Sequence, residues 1–327
     1  MKVLVTGGAG YIGSHTVRLL RERGYDVVVL DSMEFGHRAA IGDTPLIEGD
    51  TGDESLMRQI LAEHGIAAVI HFAAYKAAGE SMEQPGRYFQ NNVCGTLSLL
   101  RAMQDAQVRY FVFSSSCAVY GTPNKLPVAE DNELHPESPY GESKLMVEQM
   151  LKWYDICHGL RYASLRYFNA AGAWPDASMG EDWRMTLNLI PLVMKAALGR
   201  APAIRVFGTD YPTPDGTAIR DYIHVVDLAD AHVRALEHIV QRDRSDIFNL
   251  GTGAGSSVQQ VIDVARRVSG VDIPVAYTDR RKGDPVAIYA DNTKARELLG
   301  WQPRYGLEEI IRHAWQWHST HPDGYED

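Results

Sequence analysis

The chain opens with an apolar run, Lys2-Val3-Leu4-Val5-Thr6, that breaks into Gly7-Gly8-Ala9-Gly10-Tyr11-Ile12-Gly13 and resumes with the helical spacing of Val17, Leu19 and Leu20. A short β-branched run of this kind is the mark of a strand buried in a parallel sheet. Each glycine then has a task. Gly7 permits the tight turn, Gly10 lets the backbone approach a pyrophosphate, and Gly13 allows the helix to pack closely on the strand. An anion would sit at the helix N-terminus, where unpaired N–H groups and the helix dipole favour it. Glycine triplets recur by chance; the strand-turn-helix setting gives this one its weight.

The next strand, Asp26-Val27-Val28-Val29-Leu30, ends in Asp31. A carboxylate there accepts hydrogen bonds from a ribose hydroxyl and repels a 2′-phosphate, so NAD is favoured over NADP. The plain alternative is a turn former at a strand end. Strand candidates recur at Val69-Ile70-His71-Phe72, Tyr110-Phe111-Val112-Phe113 and Tyr162-Ala163-Ser164-Leu165-Arg166, with helical patterns from about Asn91 to Gln104 and from Tyr140 to His158 between them. Such alternation predicts an α/β fold, a doubly wound parallel sheet of the Rossmann type. From about Gly172 the pattern loosens as Pro, Gly, Asp and aromatics become frequent. We therefore expect a cofactor domain over 1–171 and a smaller C-terminal α/β substrate domain over 172–327. Segments near 220–250 are expected to return to the first, because Phe248-Asn249-Leu250 reads as a further strand of the sheet.

Two stretches carry candidate chemistry. Ser138 and Pro139 read as N-cap and first residue of a helix, which puts Tyr140 and Lys144 four residues apart on one face. A phenol ordinarily loses its proton near pH ~10. An adjacent ammonium favours the phenolate and is expected to bring Tyr140 toward working range as a base. Upstream, Ser114-Ser115-Ser116 lies at the carboxyl end of a strand, where open parallel sheets bind ligands. A serine there can bond a sugar hydroxyl and relay its proton to Tyr140; one or two of the three are expected merely to satisfy the strand-to-loop turn.

Composition narrows the class. The net charge of −10 argues against a nucleic-acid surface. No run of about twenty apolar residues is available to span a membrane, and the first residues read as strand rather than leader. Cys94, Cys117 and Cys157 are an odd number without close pairing or metal-ligand spacing, which fits a reducing cytoplasm. His313, His318 and His321, among Trp315 and Trp317, read as a surface helix end rather than a metal site.

The glycine turn, serine run and Tyr-x-x-x-Lys, in that order, resemble the extended short-chain dehydrogenase/reductase superfamily. Four blocks narrow the resemblance to its UDP-glucose 4-epimerase family: Ser114-Ser115-Ser116-Cys117-Ala118-Val119-Tyr120-Gly121, Leu165-Arg166-Tyr167-Phe168-Asn169, Arg220-Asp221-Tyr222-Ile223-His224-Val225 and the ending His321-Pro322-Asp323-Gly324-Tyr325. It covers essentially the whole chain. It implies that Ser116 is the catalytic serine, Tyr140 the base and Lys144 the lysine that holds the nicotinamide ribose. Gly10, Tyr11, Ile12, Asp31, Asp50, Phe72, Ala73, Lys76, Asn91 and Phe168 match cofactor contacts, beside Gly7 and Gly13 of the turn and Thr51 next to Asp50. Asn169, Asn188, Leu189, Val206, Phe207, Arg220, Arg281 and Asp284 match the UDP-sugar pocket. Arg220 and Arg281 suit diphosphate oxygens, and Phe207 suits a uracil face.

The implied reaction takes carbon 4 of the sugar to a ketone and back with its configuration inverted, on a retained NAD. The chain departs from the family pattern at Thr51, which replaces an apolar residue beside the adenine, and in the short stretch from Ser32 to Glu48. Ile288 aligns with the position that gates an N-acetyl group; intermediate in volume and without a hydroxyl, it leans toward admitting N-acetylated sugars. Val286-Ala287-Ile288-Tyr289-Ala290 also reads simply as apolar strand. A nucleotide-sugar dehydratase would want an Asp-Glu pair where this chain has Cys117-Ala118. A pentose or uronate epimerase and an NAD-sensing module on the same fold are the remaining alternatives. Leu145, Met146, Met150, Leu151, Trp153 and Tyr154 surround more than one helix face, so a homodimer built on this helix and that near Asn91–Gln104 is expected.

Overall fold

The computed structural model describes residues 1–183, 186–281 and 283–326. Among them, a seven-stranded sheet runs in the order Asp246–Leu250, Arg161–Tyr167, Tyr110–Ser116, Ala68–His71, Lys2–Thr6, Asp26–Asp31, Leu46–Glu48. Every neighbouring pair is parallel. Alternate residues of the strands enter opposite faces, as the period of two requires. Val3, Val5, Val27 and Val29 join one apolar cluster, with Val17, Leu20, Leu228 and Leu236. Leu4, Val28 and Leu30 join another, with Met57, Ile60, Leu99, Leu100, Val147 and Leu151. Both faces are therefore covered by helices, which explains why the strands read as unbroken apolar runs. Each such side chain, fully buried, contributes roughly 1.5–3 kcal/mol.

The chain starts in the fifth strand of that order and leaves it in both directions. The order reverses between Lys2–Thr6 and Ala68–His71, and ligands of open α/β sheets bind outside the carboxyl ends of strands at such a point. Phe248-Asn249-Leu250 does rejoin the sheet, pairing with Leu165, Arg166 and Tyr167. The helix Val225–Arg242 returns with it.

Helices Leu189–Ala197, Val258–Ser269 and Leu307–Thr320 share a separate apolar cluster with Ile204, Val206 and Tyr222. Two details correct the sequence expectations. The apolar stretch 286–290 contributes only a two-residue strand, Ala287–Ile288, because its partner Ile219–Arg220 is equally short. His313 and His318 are buried rather than at a surface helix end: His313 bonds His224 at 2.9 Å and His318 stacks on Trp183 at 4.5 Å. Their helix is enclosed because its Trp317 fills the core opposite Gly180.

Candidate active site

The glycine turn forms a cradle that side chains would fill. Gly7 has φ +68°, and a Cβ there would lie 2.6 Å from the Ala73 backbone nitrogen. One on Gly13 would lie 2.2 Å from the Gly7 carbonyl, while Gly10 has more room, at 3.3 Å from the same oxygen. Helix Tyr11–Glu22 begins at Gly10 with neither a side-chain cap nor an acidic residue in its first turn. Its leading N–H groups and dipole are thus left for an anion. Asp31 is buried, which pushes its carboxyl up; it accepts from the Ala9 N–H at 2.9 Å and the Met33 N–H at 3.0 Å. It therefore shapes the turn. The open helix end, the glycine cradle and the acidic residue together fit a dinucleotide.

The other expected cofactor residues are placed unevenly. Phe72 and Ala73 follow the strand Ala68–His71 and both donate to the Thr6 carbonyl, at the sheet's reversal point. Ile12 packs on the core beneath the turn. The Tyr11 hydroxyl donates to the Gly172 carbonyl at 2.7 Å, so its side chain binds the protein and leaves only its backbone to the turn. Asp50 is exposed and caps its own turn through the Gly52 N–H at 2.6 Å, whereas Thr51 is buried against Gly95. Asn91 donates to Asn92, and Lys76, largely exposed, meets Glu181 at 3.5 Å.

Helix Pro139–His158 starts as its sequence predicts: the Ser138 hydroxyl accepts from the Gly141 N–H and Pro139 occupies the first position. Tyr140 and Lys144 then face the end of strand Tyr110–Ser116. Lys144 is buried, donates to the Ser114 carbonyl at 2.8 Å and lies 5.9 Å from the Tyr140 ring centre. Burial brings its ammonium down to about 7, with Glu148 opposing. For Tyr140 the expected depression is corrected. Loss of solvent, then Tyr167, push the phenol above its ordinary value; the hydrogen bond with Ser116 pulls the other way. Lys144, 5.9 Å from the ring centre, does not outweigh that loss of solvent.

Of the three serines, two are committed to the scaffold. Ser114 bonds the Tyr167 hydroxyl at 2.6 Å, and Ser115 donates to Glu148 at 2.6 Å. Glu148 is held in turn by Arg166, at 2.6 Å. Ser116 alone turns toward Tyr140, its oxygen also accepting from the Ala118 N–H. Cys117 beside it is a half-buried thiol pushed up to about 12 by loss of solvent, hence a poor nucleophile.

On the other side of the cleft, Phe168 and Ile288 share an apolar cluster with Val119, Tyr120 and Leu145. Asn169 donates its amide to the Asp221 carbonyl at 3.0 Å. Asn188 caps helix Leu189–Ala197, and Leu189 is that helix's first residue. Val206 is buried in the strand Ile204–Phe207. Arg220 is tied to the Ile219 and Pro285 carbonyls at 2.8 and 2.9 Å, and to Asp284 at 3.3 Å. The Arg281 guanidinium lies over one face of the Phe207 ring, 3.8 Å from its centre. A cation on a ring face is itself favourable, so this face is closed by Arg281.

Sequence reading missed the segment Gly180-Glu181-Asp182, which bridges both sides of the cleft. Asp182 pairs with His37 at 2.8 Å, in the loop after Asp31. Glu181 meets Lys76 in the loop after Phe72, and Asn188 at the start of its helix. The signal available was a consecutive acidic pair behind a glycine, too common to single out. Asn92 was also missed; it holds the Tyr75 N–H and Ser143 beneath Tyr140.

Against known proteins, the NAD dependent epimerase/dehydratase family pattern matches residues 3–251. A UDP-glucose 4-epimerase of Lactobacillus helveticus is 50% identical over 329 residues, covering 100% of each chain. The structure of UDP-glucose 4-epimerase from Brucella ovis in complex with NAD superposes with a TM-score of 0.94 at 47% identity, covering 96% of this chain and 97% of that one. That from Bifidobacterium longum, in complex with NAD+ and UDP, gives 0.94 at 41% identity over 99% and 100%.

Proposed function

This chain belongs to the NAD dependent epimerase/dehydratase family, and we propose that it interconverts UDP-glucose and UDP-galactose by inverting carbon 4 of the hexose. The observation that carries this reading is the convergence of Ser116, Tyr140 and Lys144 at the carboxyl end of strand Tyr110–Ser116, where Lys144 donates to the Ser114 carbonyl at 2.8 Å and lies 5.9 Å from the Tyr140 ring centre. Gly7, Gly10 and Gly13 would cradle the pyrophosphate of NAD, Asp31 would take a ribose hydroxyl, and Lys144 would take the other ribose. The chemistry supplied by bound NAD is reversible uptake of a hydride from carbon 4, together with a positive ring charge. Tyr140 takes the proton of the 4-hydroxyl, directly or through Ser116, and later returns it to the inverted alcohol. Because burial raises its pKa, the Tyr140 proton is held until positive charge is close by. Lys144, with its ammonium near neutrality, stays anchored on the Ser114 carbonyl and keeps the cleft end of the strand fixed.

The UDP-sugar is held by residues on the opposite wall. Arg220 and Arg281 bind the diphosphate by charge-assisted hydrogen bonds, with Arg281 swinging from Phe207 to do so; Asp284 steadies Arg220. Asn169, Asn188 and Leu189 line the sugar side. Residues 1–171 hold the cofactor and 172–327 the nucleotide sugar, with the 220–250 segment returned to the first. Elimination of water is disfavoured, since Cys117 and Ala118 offer no carboxylate beside Tyr140. Ile288 is buried and carries no hydroxyl, so the N-acetylated pair of sugars is accepted too.

A second copy of the chain covers the outer helices. Leu97, Met146, Trp153 and Ile156 are exposed on Gly95–Asp105 and Pro139–His158, which supports a homodimer. Cys94, Cys117 and Cys157 are free thiols, in keeping with a reducing cytoplasm, and among the described residues no helix is long and apolar enough to cross a membrane.

The test is incubation of the purified protein with UDP-galactose and, separately, UDP-N-acetylgalactosamine, without added NAD, and chromatography of the products. The gluco epimer should form in both, with the ratio of rates reporting on Ile288. No conversion even after NAD is supplied refutes the reading.

A further inference from the structure

Glu181 is a buried carboxylate whose two oxygens are treated unequally. Oε1 accepts from three donors: Asn188 Nδ2 at 2.9 Å, the Thr186 hydroxyl at 2.9 Å and the Lys76 ammonium at 3.5 Å. Oε2 is buried with no partner among the described residues, the one carboxylate oxygen so left. Carboxylates that serve the fold here look different. Glu148 bonds Ser115 and Arg166 with both oxygens, and Asp221 engages Thr252, Gly253 and Ala290 with both of its own. An orphaned buried acceptor is costly, and such groups persist where a site uses them.

The backbone around Glu181 is locked. Trp317 Nε1 donates to the Glu181 carbonyl at 3.0 Å. Gly180 exchanges hydrogen bonds with the Tyr325 hydroxyl at 3.1 and 2.9 Å, and any Cβ on it would lie 2.4 Å from the Trp317 ring. Asp182 is paired with His37. The carboxylate is therefore fixed from outside, and the flexible partners, Lys76 and Asn188, take their positions from it.

We propose that Glu181 is a positioning residue that joins the two halves of the site: by accepting from Asn188 Nδ2 it turns the amide oxygen of Asn188 toward the nucleotide sugar, while holding the Lys76 ammonium on the cofactor side. A carboxylate is acceptor-only, so it dictates the sense of the Asn188 amide; a glutamine, which offers both donor and acceptor, does not. This rests on the assignment of UDP-sugar as the ligand.

The test is a double-mutant cycle with Glu181→Gln, which preserves shape, and Asn188→Ala, reading KM and kcat for UDP-galactose, UDP affinity by calorimetry, and Tm. Glu181→Gln should raise KM and weaken UDP binding about tenfold, with kcat changed less than about threefold, and add nothing in the Asn188→Ala background because no amide is left to orient. Additive losses, or a lowered Tm with KM and UDP affinity unchanged, would overturn the proposal and leave Glu181 a fold residue. If the wild type does not turn over UDP-galactose, the function assignment fails by itself; the cycle is then read on UDP affinity, where non-additivity still supports the positioning role and additivity removes it.

Discussion

Gly13→Ala separates what the glycine turn does for the fold from what it does for the cofactor. The added Cβ would stand 2.2 Å from the Gly7 carbonyl oxygen and 2.8 Å from Gly8 Cα. Ordinary contact lies near 3.5 Å, so turn and helix must part by about 1 Å. Gly7 has nowhere to retreat, since its own Cβ direction is filled by the Ala73 backbone at 2.6 Å. The strain costs about 1–3 kcal/mol, while alanine in place of glycine returns about 1 kcal/mol of helix propensity. The net loss of stability is therefore only about 0–2 kcal/mol. The cofactor suffers more, because a misplacement of about 1 Å in a site costs on the order of 100-fold. The assay is NAD per chain, released by acid from freshly purified protein, beside the urea midpoint. The expected result is a folded chain stripped of NAD. A variant that keeps full NAD and wild-type turnover would refute the reasoning, as would one that unfolds before it loses cofactor.

Tyr140→Phe removes the proton carrier and leaves the cradle untouched, so turnover should drop about 10²–10⁴-fold with NAD content unchanged; near-normal activity ends the assignment of Tyr140 as base. Trp153→Glu places a charge on a side chain 62% exposed on the proposed subunit face. The variant should sediment as a monomer at micromolar concentration where the wild type sediments as a dimer, and an unchanged dimer would move the interface elsewhere. Finally, burial lowers the pKa of His71 and His318 to about 3, and of His15 and His232 to about 4, from 6.5 in the unfolded chain. These imidazoles stay neutral when folded and bind protons when unfolded, so stability falls as pH drops below 6.5, by up to about 1.4 kcal/mol per pH unit for each. Urea midpoints from pH 7 to pH 4.5 check this; replacing His71 with Asn should flatten the slope, and an unchanged slope would show that His71 is not buried neutral.

The parallel sheet was legible because its strands are buried on both faces and so must be apolar throughout, with glycine or serine at their carboxyl ends. The same reasoning found the helix of Tyr140 from its cap and proline. It failed where a long-range partner set the outcome. His318 reads as surface until Trp183 is seen stacked on it, and 286–290 reads as a full strand until its short partner is known. The three serines are chemically alike in sequence; Tyr167 and Glu148, from elements distant along the chain, decide that only Ser116 is left for Tyr140.

Local rules in the chain itself thus determined the sheet, the cradle and where the candidate serine, tyrosine and lysine fall on strand and helix, because periodicity, capping and backbone sterics act over a few residues. Only the tertiary structure decided how those groups are tuned. Whether Tyr140 is raised or lowered depends on the solvent it loses and on Tyr167 and Ser116 around it, and Glu181 stands out only when Lys76 and Asn188 arrive at one oxygen. Desolvation and charge depend on distances between residues far apart in the chain, and those distances exist only once it has folded.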